Sequence, residues 1–418
     1  MEMAERYSCW RYLLERQGVR ACSSRDLGDN PYGVGDIFAS FVDDSGVRVM
    51  SDDELESAEM SWVQASTLDG GFAWLPAGVV HVFEGTNGMA SGNSAQEAAL
   101  HALCELVERH CLTLIEALHL ATPRVDPTTI DSPIAMGLIA RFEGLGQKVI
   151  VKDFSLDTGL PVFGAVRDLG DGTCEMTAGV ASSREEALAR TLTENSQSER
   201  GEGWFRREDI PHLFADGGTR SYAEMADLGD RDLGVELGRI RDRLAERGMR
   251  PYVMDTTQAD LGVPAATVVI VGAKFHAPRN IDHSIVTALV DDALRSGRFA
   301  TAHRYLDLGV ERDPRRLQMY RYYRGVTLQV QGKHAEAVGH LRGVADDDLG
   351  NLTETQRQVM RWKTGSALVR SYLALGDNDA ALEVVARSRE RDPDAEMPAV
   401  VPDAGGPEGP PAGDEKTR

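Results

Sequence analysis

Residues 86–110, TNGMASGNSAQEAALHALCELVERH, constrain the fold more than any other stretch of the chain. A turn punctuated by Gly88, Gly92 and Asn93 runs directly into a segment rich in alanine and leucine, which predicts a helix. At about 100° per residue, Asn93, Glu97, Glu105 and Glu108 fall within an arc of roughly 120°. Leu100, Leu103, Leu106 and Val107 lie on the other side, toward a core. Three carboxylates on one face, with no lysine among them, repel one another. A bound cation removes that penalty: hard oxygen ligands suit Mg²⁺, and Mg²⁺ suits polyphosphate. The glycine-rich entry also predicts free backbone N–H groups at the positive end of the helix, a seat for an anion. A plainer alternative makes Ser94 and Glu97 a capping box and the remaining glutamates a solvated face. The turn is neither a Walker loop nor a dinucleotide-binding fingerprint.

As a whole string, Asn87-Gly88, Gly92-Asn93, Glu97-Ala98 and Glu105-x-x-Glu108-Arg109 closely resemble the central motif of the YcaO superfamily. Members of that superfamily use ATP to activate a peptide backbone amide. The resemblance implies that Asn93, Glu97, Glu105, Glu108 and Arg109 surround Mg²⁺ and nucleotide phosphates. The opening residues, MEMAERYSCWRY, are similar to a second family motif, Glu-x-x-Glu-Arg followed by Tyr. That match implies Glu2, Glu5 and Arg6 on the metal and phosphate side. Relatives carry a Gly-Lys-Gly element before this motif and the chain has none, so a nucleotide-binding segment is expected to be missing at the N-terminus.

With 418 residues the chain is long enough for two or three domains and a substantial core. A formal net charge of −21 disfavours nucleic-acid or anionic-membrane binding, which need a basic footprint. The five cysteines, Cys9, Cys22, Cys104, Cys111 and Cys174, are scattered and lack C-x-x-C pairing. They indicate neither a disulfide framework nor a zinc site, and Cys104 and Cys111 read as buried small hydrophobes. No signal peptide and no bilayer-length apolar run is visible, which leads to a cytoplasmic, reduced setting.

Residues 18–84 alternate turn signals with short apolar runs. GDNPYGVGD reads as a glycine-rich loop, IFASFVDDSGVRVM as a hairpin turning at Asp43–Gly46, and FAWLPAGVVHVF as a strand broken by a turn. His81 falls in an apolar run and reads as a core or edge residue. Beyond the central helix, a proline-rich connection leads to a helix over IAMGLIARFEGLG with a glycine stop. KVIVKDFSLDTGLPVFGAVRDLGDGTCEMTAGVA then predicts two or three strands, an α+β pattern.

SREEALARTLTENSQSERGEGWFRREDI (183–210) opens as a helix capped by Ser182 or Ser183, with Glu194 and Gln197 on one face. The family shows Glu-x-x-Gln-x-Arg here and Arg-Asp-Asp some residues later. Glu194, Gln197, Arg207 and Asp209 match, whereas the first arginine falls on Glu199, with Arg200 beside it, and the first aspartate on Glu208. The resemblance implies Glu194, Gln197, Arg200 and Arg207 at the nucleotide. A charged helix, a strand, a turn at Leu261–Pro264 and a second strand follow, similar to the end of a YcaO domain. Lys274 and His276 read as surface residues of its exit.

From about residue 285 the pattern changes. Gly297-Arg-Phe-x-x-Ala302, Gly332-Lys-His-x-x-Ala337 and Gly376-Asp-Asn-x-x-Ala381 recur, and Pro314 and Pro393 each fall 17 residues after their glycine. The first interval is 35 residues and the second 44, with an insert around DDLGNLTETQ. This resembles tetratricopeptide repeats, whose stacked helix pairs typically hold a peptide or protein segment. The expected organisation is a YcaO-like domain of mixed sheets with helices over 1–284, an all-α tetratricopeptide-like repeat domain over 285–395, and a disordered Pro/Gly/charged tail over 396–418.

The resemblance implies an enzyme using ATP and Mg²⁺ on a peptide or protein substrate, with an azoline, thioamide or amidine product. It implies Glu2, Glu5, Glu97, Glu105 and Glu108 as metal ligands, and no residue stands out as a general base. The tail lacks the Pro-x-Pro-x-Pro ending of many azoline-forming relatives, which disfavours that product without selecting another. The helical repeats would hold a partner protein; a homodimer stays open. The alternative is a non-catalytic scaffold that binds a leader peptide or partner enzyme.

Overall fold

The computed structural model describes residues 8, 20–28, 34–39, 49–80, 87–169, 172–197, 204–208, 210–274, 285–346, 349 and 354–391. Two compact units emerge, one from residues 1–20, 27–42 and 62–276, the other from 21–26, 43–61 and 277–418. The linker 275–284, His81, His276 and the tail expected over 396–418 lie outside the described residues.

In chain order the strands are β1 (Arg20–Cys22), β2 (Met60–Thr67), β3 (Phe72–Pro76), β4 (Met89–Ser91), β5 (Arg124–Val125) and β6 (Lys148–Asp153). They continue as β7 (Val162–Asp168), β8 (Thr173–Val180), β9 (Trp204–Arg206), β10 (Thr219–Arg220), β11 (Arg250–Asp255) and β12 (Ala265–Val271). One sheet runs β1-β2-β11-β12-β4 with β3 on β2, and the other runs β10-β5-β6-β7-β8-β9. The printed pairings are antiparallel except β10 with β5, so the mixed α+β architecture expected from the sequence is present.

Helices α1 (Ala95–Leu118), α2 (Pro133–Gly144), α3 (Arg184–Gln197) and α4 (Leu233–Ala245) complete the sheet-containing unit. The apolar side of α1 packs on β12 and β4 and touches β8. Leu103, Leu106, Val107 and Ile115 are almost fully buried there, each worth about 1.5–3 kcal/mol of transfer free energy. Every residue of β12 is buried, and its unbroken AATVVIV run lacks the alternation of a half-exposed strand. On the other sheet, α2 and α3 seal one face through Ile139, Leu188 and Leu192 against Val151, Phe163 and Ala165. Cys104, Cys111 and Cys174 are buried and form no disulfide.

The hairpin expected over 37–50 is not found at its start, because Val34–Ala39 is helical; residues 40–48 lie outside the described set. The strand at FAWLP ends in a one-turn helix, Ala77–Val80. Alternation of apolar residues over so few positions does not separate a short helix from a strand.

The second unit is helical: α5 (Ile285–Arg295), α6 (Phe299–Arg312), α7 (Leu317–Val330), α8 (His334–Asp346), α9 (Glu354–Ala374) and α10 (Asn378–Arg391). Each packs on the next, and α7 also touches α5 and α9. Gly297, Gly332 and Gly376 have φ of 68°, 74° and 75°. At these three turns the N–H groups of Arg298, Lys333 and Asp377 return to Ala293, Leu328 and Tyr372 carbonyls at 2.8–2.9 Å, the bond that closes a helix end through a left-handed residue. Ala302, Ala337 and Ala381 are buried at the following crossings. Residues 43–61 group with these helices for a physical reason. Arg312 holds both Glu54 carboxylate oxygens at 2.8 and 2.9 Å, and buried Asp292 accepts the Ser61 N–H at 2.8 Å. No helix among the described residues is long and apolar enough to cross a membrane.

Candidate active site

The turn before α1 is shaped by backbone proximity. Gly88 has φ +73°, and a Cβ there would lie 2.7 Å from the Val268 carbonyl and 3.1 Å from the Leu106 methyls. Its carbonyl accepts the Val268 N–H at 2.7 Å, which seats the turn on β12. At Gly92 a Cβ would lie 2.7 Å from the Ala98 nitrogen. Only glycine lets the chain fold back this tightly onto the helix.

The N–H groups of this turn are not free, contrary to the anion seat expected from the sequence. Gly88 donates to Glu105 Oε2 at 3.0 Å, Gly92 to the Pro264 carbonyl at 3.0 Å, and Asn93 to Glu97 Oε2 at 2.8 Å. Asn93 Nδ2 adds a second bond to that oxygen at 3.0 Å. Glu97 is thereby held below the usual carboxylate range, chiefly by the Asn93 backbone N–H and then by its side chain. Ser94 Oγ accepts the Glu97 N–H at 3.1 Å, but the Glu97 carboxylate reaches past Ser94 to Asn93. Only half of a capping box forms.

Two to three turns further on, Glu105, Glu108 and Arg109 meet. Arg109 donates through Nε to Asn87 Oδ1 at 3.2 Å, and its other nitrogens stand 3.8 Å from Glu105 and 3.5 Å from Glu108. Asn87 and Arg109 therefore tie the entry turn to the helix. Glu108 is only 8% exposed. Burial pushes its carboxyl up to about 7; Arg109 opposes this, while Glu194 and Glu105 reinforce it. Helix α3 brings Glu194 to this place, and loss of solvent raises its carboxyl too, against the pull of Arg190 and Arg109. Arg190, one turn before Glu194, acts on both carboxylates and was not singled out in the sequence. Its signal was the Arg190–Glu194 spacing of four on one helix. Behind the site, His110 Nδ1 accepts the Lys274 N–H at 2.8 Å, fixing the chain just after β12.

Several sequence candidates stand elsewhere or cannot be placed. Gln197 is the last residue of α3. Glu2, Glu5, Arg6, Arg200 and Asp209 lie outside the described residues. Arg207 follows β9, where it pairs with Asp168 at 3.3 Å and lies 4.3 Å over the Phe214 ring. Its N–H also donates to the Gly172 carbonyl at 3.2 Å, so it is seated at the end of the second sheet.

Chemically the group fits a magnesium nucleotide. Glu105 and Glu194 both act on Glu108 to raise its carboxyl, and a cation would relieve that repulsion. No three His, Cys, Asp or Glu side chains among the described residues converge as a ready-made cage. Magnesium does not need one, since it commonly binds through one or two carboxylates, water and substrate phosphates.

Residues 1–274 match the family described as YcaO cyclodehydratase, ATP- and Mg²⁺-binding. The chain belongs to the YcaO family. An uncharacterized protein of Methanothermobacter thermautotrophicus is 32% identical over 222 residues, covering 47% of this chain and 58% of that protein. An uncharacterized protein in the tfuA 3′ region of Rhizobium leguminosarum bv. trifolii is 30% identical over 142 residues, 31% of this chain and 34% of that protein. The matches thus span less than two thirds of the length of these relatives. In fold the chain is similar to a heterocyclase solved in complex with substrate and cofactor, at TM-score 0.54 and 19% identity, over 71% of this chain and 45% of the other.

Proposed function

We propose that this YcaO protein is an ATP- and Mg²⁺-dependent enzyme that activates a backbone amide of a peptide or protein substrate, for cyclodehydration, thioamidation or amidine formation. The observation that carries the reading is the set of carboxylates that act around Arg109, two on α1 and one on α3. Glu108, held near 7, stands with Glu105 and Glu194 beside Arg109, on a helix entered through Asn87-Gly88 and Gly92-Asn93. On this reading Glu2, Glu5, Glu97, Glu105 and Glu108 serve metal, and Asn93, Arg109, Glu194, Gln197, Arg200 and Arg207 serve nucleotide.

When bound, magnesium ATP supplies the phosphoryl group that makes the amide oxygen expellable and offsets the charge that develops. The chain's own residues hold and balance that charge. Asn93 keeps Glu97 ionised, Gly88 orients Glu105, and Asn87 holds the Arg109 guanidinium against Glu105 and Glu108. Eight residues of helix separate Glu97 from Glu105, about 12 Å of rise, so the two serve different ion positions. The helical unit, with its recurring left-handed glycines and buried alanines, serves as a tetratricopeptide-like module that docks a peptide segment. Its place of action is the cytoplasm.

Calorimetry with ATP and Mg²⁺ on the wild-type protein and on Glu105→Ala tests the site. Binding is expected to weaken at least about tenfold in the variant, which corresponds to 1.4 kcal/mol. Equal heats from the two proteins would remove the assignment.

A further inference from the structure

The turn between β11 and β12 is built around Gln258. Thr256 donates its N–H to the Ala265 carbonyl at 3.0 Å, and the Thr257 hydroxyl accepts the Ala265 N–H at 3.1 Å, which closes the neck of the turn. Inside it the Gln258 carbonyl accepts the N–H groups of Leu261 and Gly262, both at 3.1 Å, and Gln258 pairs with Val263. Local bonds therefore fix the backbone of Gln258, yet its side chain does not turn to solvent. The residue is only 4% exposed, a setting that glutamine occupies when its amide is engaged. Nε2 donates to the Ser8 carbonyl at 3.3 Å and stands 3.5 Å from the Thr256 carbonyl, at the limit of a hydrogen bond. Ser8 is itself fully buried. The same turn also reaches the central motif. The Pro264 carbonyl accepts the Gly92 N–H at 3.0 Å, and Ala265 stands opposite Ser91 in the sheet. One turn thus grips two segments that lie far apart in sequence, at Ser8 and at Gly92.

We propose that Gln258 is a positioning residue for the metal and nucleotide site, holding the N-terminal Glu2-x-x-Glu5-Arg6 run in register with the entry turn of α1. This role rests on the reading that both motifs serve magnesium nucleotide, and it names what aligns them. Ser8 follows Arg6 by two residues and Glu5 by three. A chain advances at most about 3.5 Å per residue, so fixing Ser8 confines Arg6 and Glu5 to within roughly 7 and 11 Å of it. Gly92 leads directly into Asn93, whose N–H holds Glu97 at 2.8 Å. Both bonds of the Gln258 amide run to backbone carbonyls, so Gln258 acts on the site through the chain and not on the ligands themselves. Removing a group that orients ligands weakens metal binding by about 10–100-fold. A site whose ligands are loosely held still fills when the cation is abundant.

Calorimetry of ATP binding to the full chain, repeated from scarce to abundant Mg²⁺, tests this on wild type, Gln258→Met and Gln258→Glu, each checked for wild-type helix content. Methionine keeps the length of the side chain without a donor, and glutamate keeps its shape but donates nothing when ionised. Both variants are expected to need at least about tenfold more Mg²⁺ than wild type for the same ATP affinity, and to reach that affinity once Mg²⁺ is abundant. Glu105→Ala, measured alongside, reports on the site itself. An unchanged Mg²⁺ requirement in both Gln258 variants, while Glu105→Ala weakens binding, would overturn the role of Gln258 and leave the site assignment standing. A loss of affinity equal at every Mg²⁺ concentration, or a loss of helix content in both variants, would make Gln258 a packing residue only and overturn it as well. ATP affinity of Glu105→Ala equal to that of wild type would remove the site assignment, and the role of Gln258 with it.

Discussion

Replacing Glu108 by glutamine should stabilise the metal-free protein at neutral and alkaline pH. The carboxyl is raised from 4.5 to about 7 by burial and by its acidic neighbours. The folded state therefore holds this proton more tightly than the unfolded chain does. Below about pH 4.5 both states are protonated and the penalty is absent. It grows as pH rises from 4.5 toward 7 and is complete above that. A shift of some 2.5 units at 1.36 kcal/mol each is about 3 kcal/mol. Glutamine copies the protonated shape and never ionises. Urea unfolding of wild type and Glu108→Gln, without Mg²⁺, would give nearly equal stabilities at pH 4.5. At pH 8 the variant should be ahead by up to about 3 kcal/mol. Titration of groups that do not interact with Glu108 cancels in the difference, while that of Glu105 and Glu194, which do, shifts with it. Added Mg²⁺ and ATP should then stabilise wild type at pH 8 and do little for the variant, because the ionised carboxylate is what the cation pairs with. A difference between the two proteins that is the same at both pH values would refute the reasoning.

Arg109→Lys keeps the charge but loses the planar fork that reaches Asn87, Glu105 and Glu108 at once; calorimetry should show magnesium-nucleotide affinity down about tenfold, with stability changed by less than about 1 kcal/mol. Gly179→Ala should destabilise by at least about 2 kcal/mol in urea unfolding: the new Cβ would sit 2.6 Å from the Thr191 nitrogen, where β8 meets α3 and backbone cannot turn aside.

The central helix, the side of it that faces the core, and the α+β character were legible in the sequence. Those properties depend on residue period, and period is local. The glycine positions of the entry turn were legible too, but their use was not. A run such as Asn-Gly-x-x-x-Gly-Asn states that the backbone must bend closely; it does not state what the bend approaches. The neighbour of Gly88 is the Val268 carbonyl, 180 residues along the chain, and the acceptor of its N–H is Glu105. Likewise, the recurring glycine and alanine beyond residue 285 foretold helix pairs, yet not that residues 43–61 group with them. That association depends on the Glu54–Arg312 and Ser61–Asp292 bonds, each spanning more than 200 residues.

The sequence by itself determined which carboxylates share one side of the central helix, because a regular rise and turn per residue place them there. Only the tertiary structure decided how each of them ionises. Glu97, bound by Asn93 in its own turn, stays acidic, while Glu108 is raised by burial and by Glu194 on another helix. Solvent exclusion and through-space charge come from packing between elements distant in the chain, and no local pattern of residues encodes them.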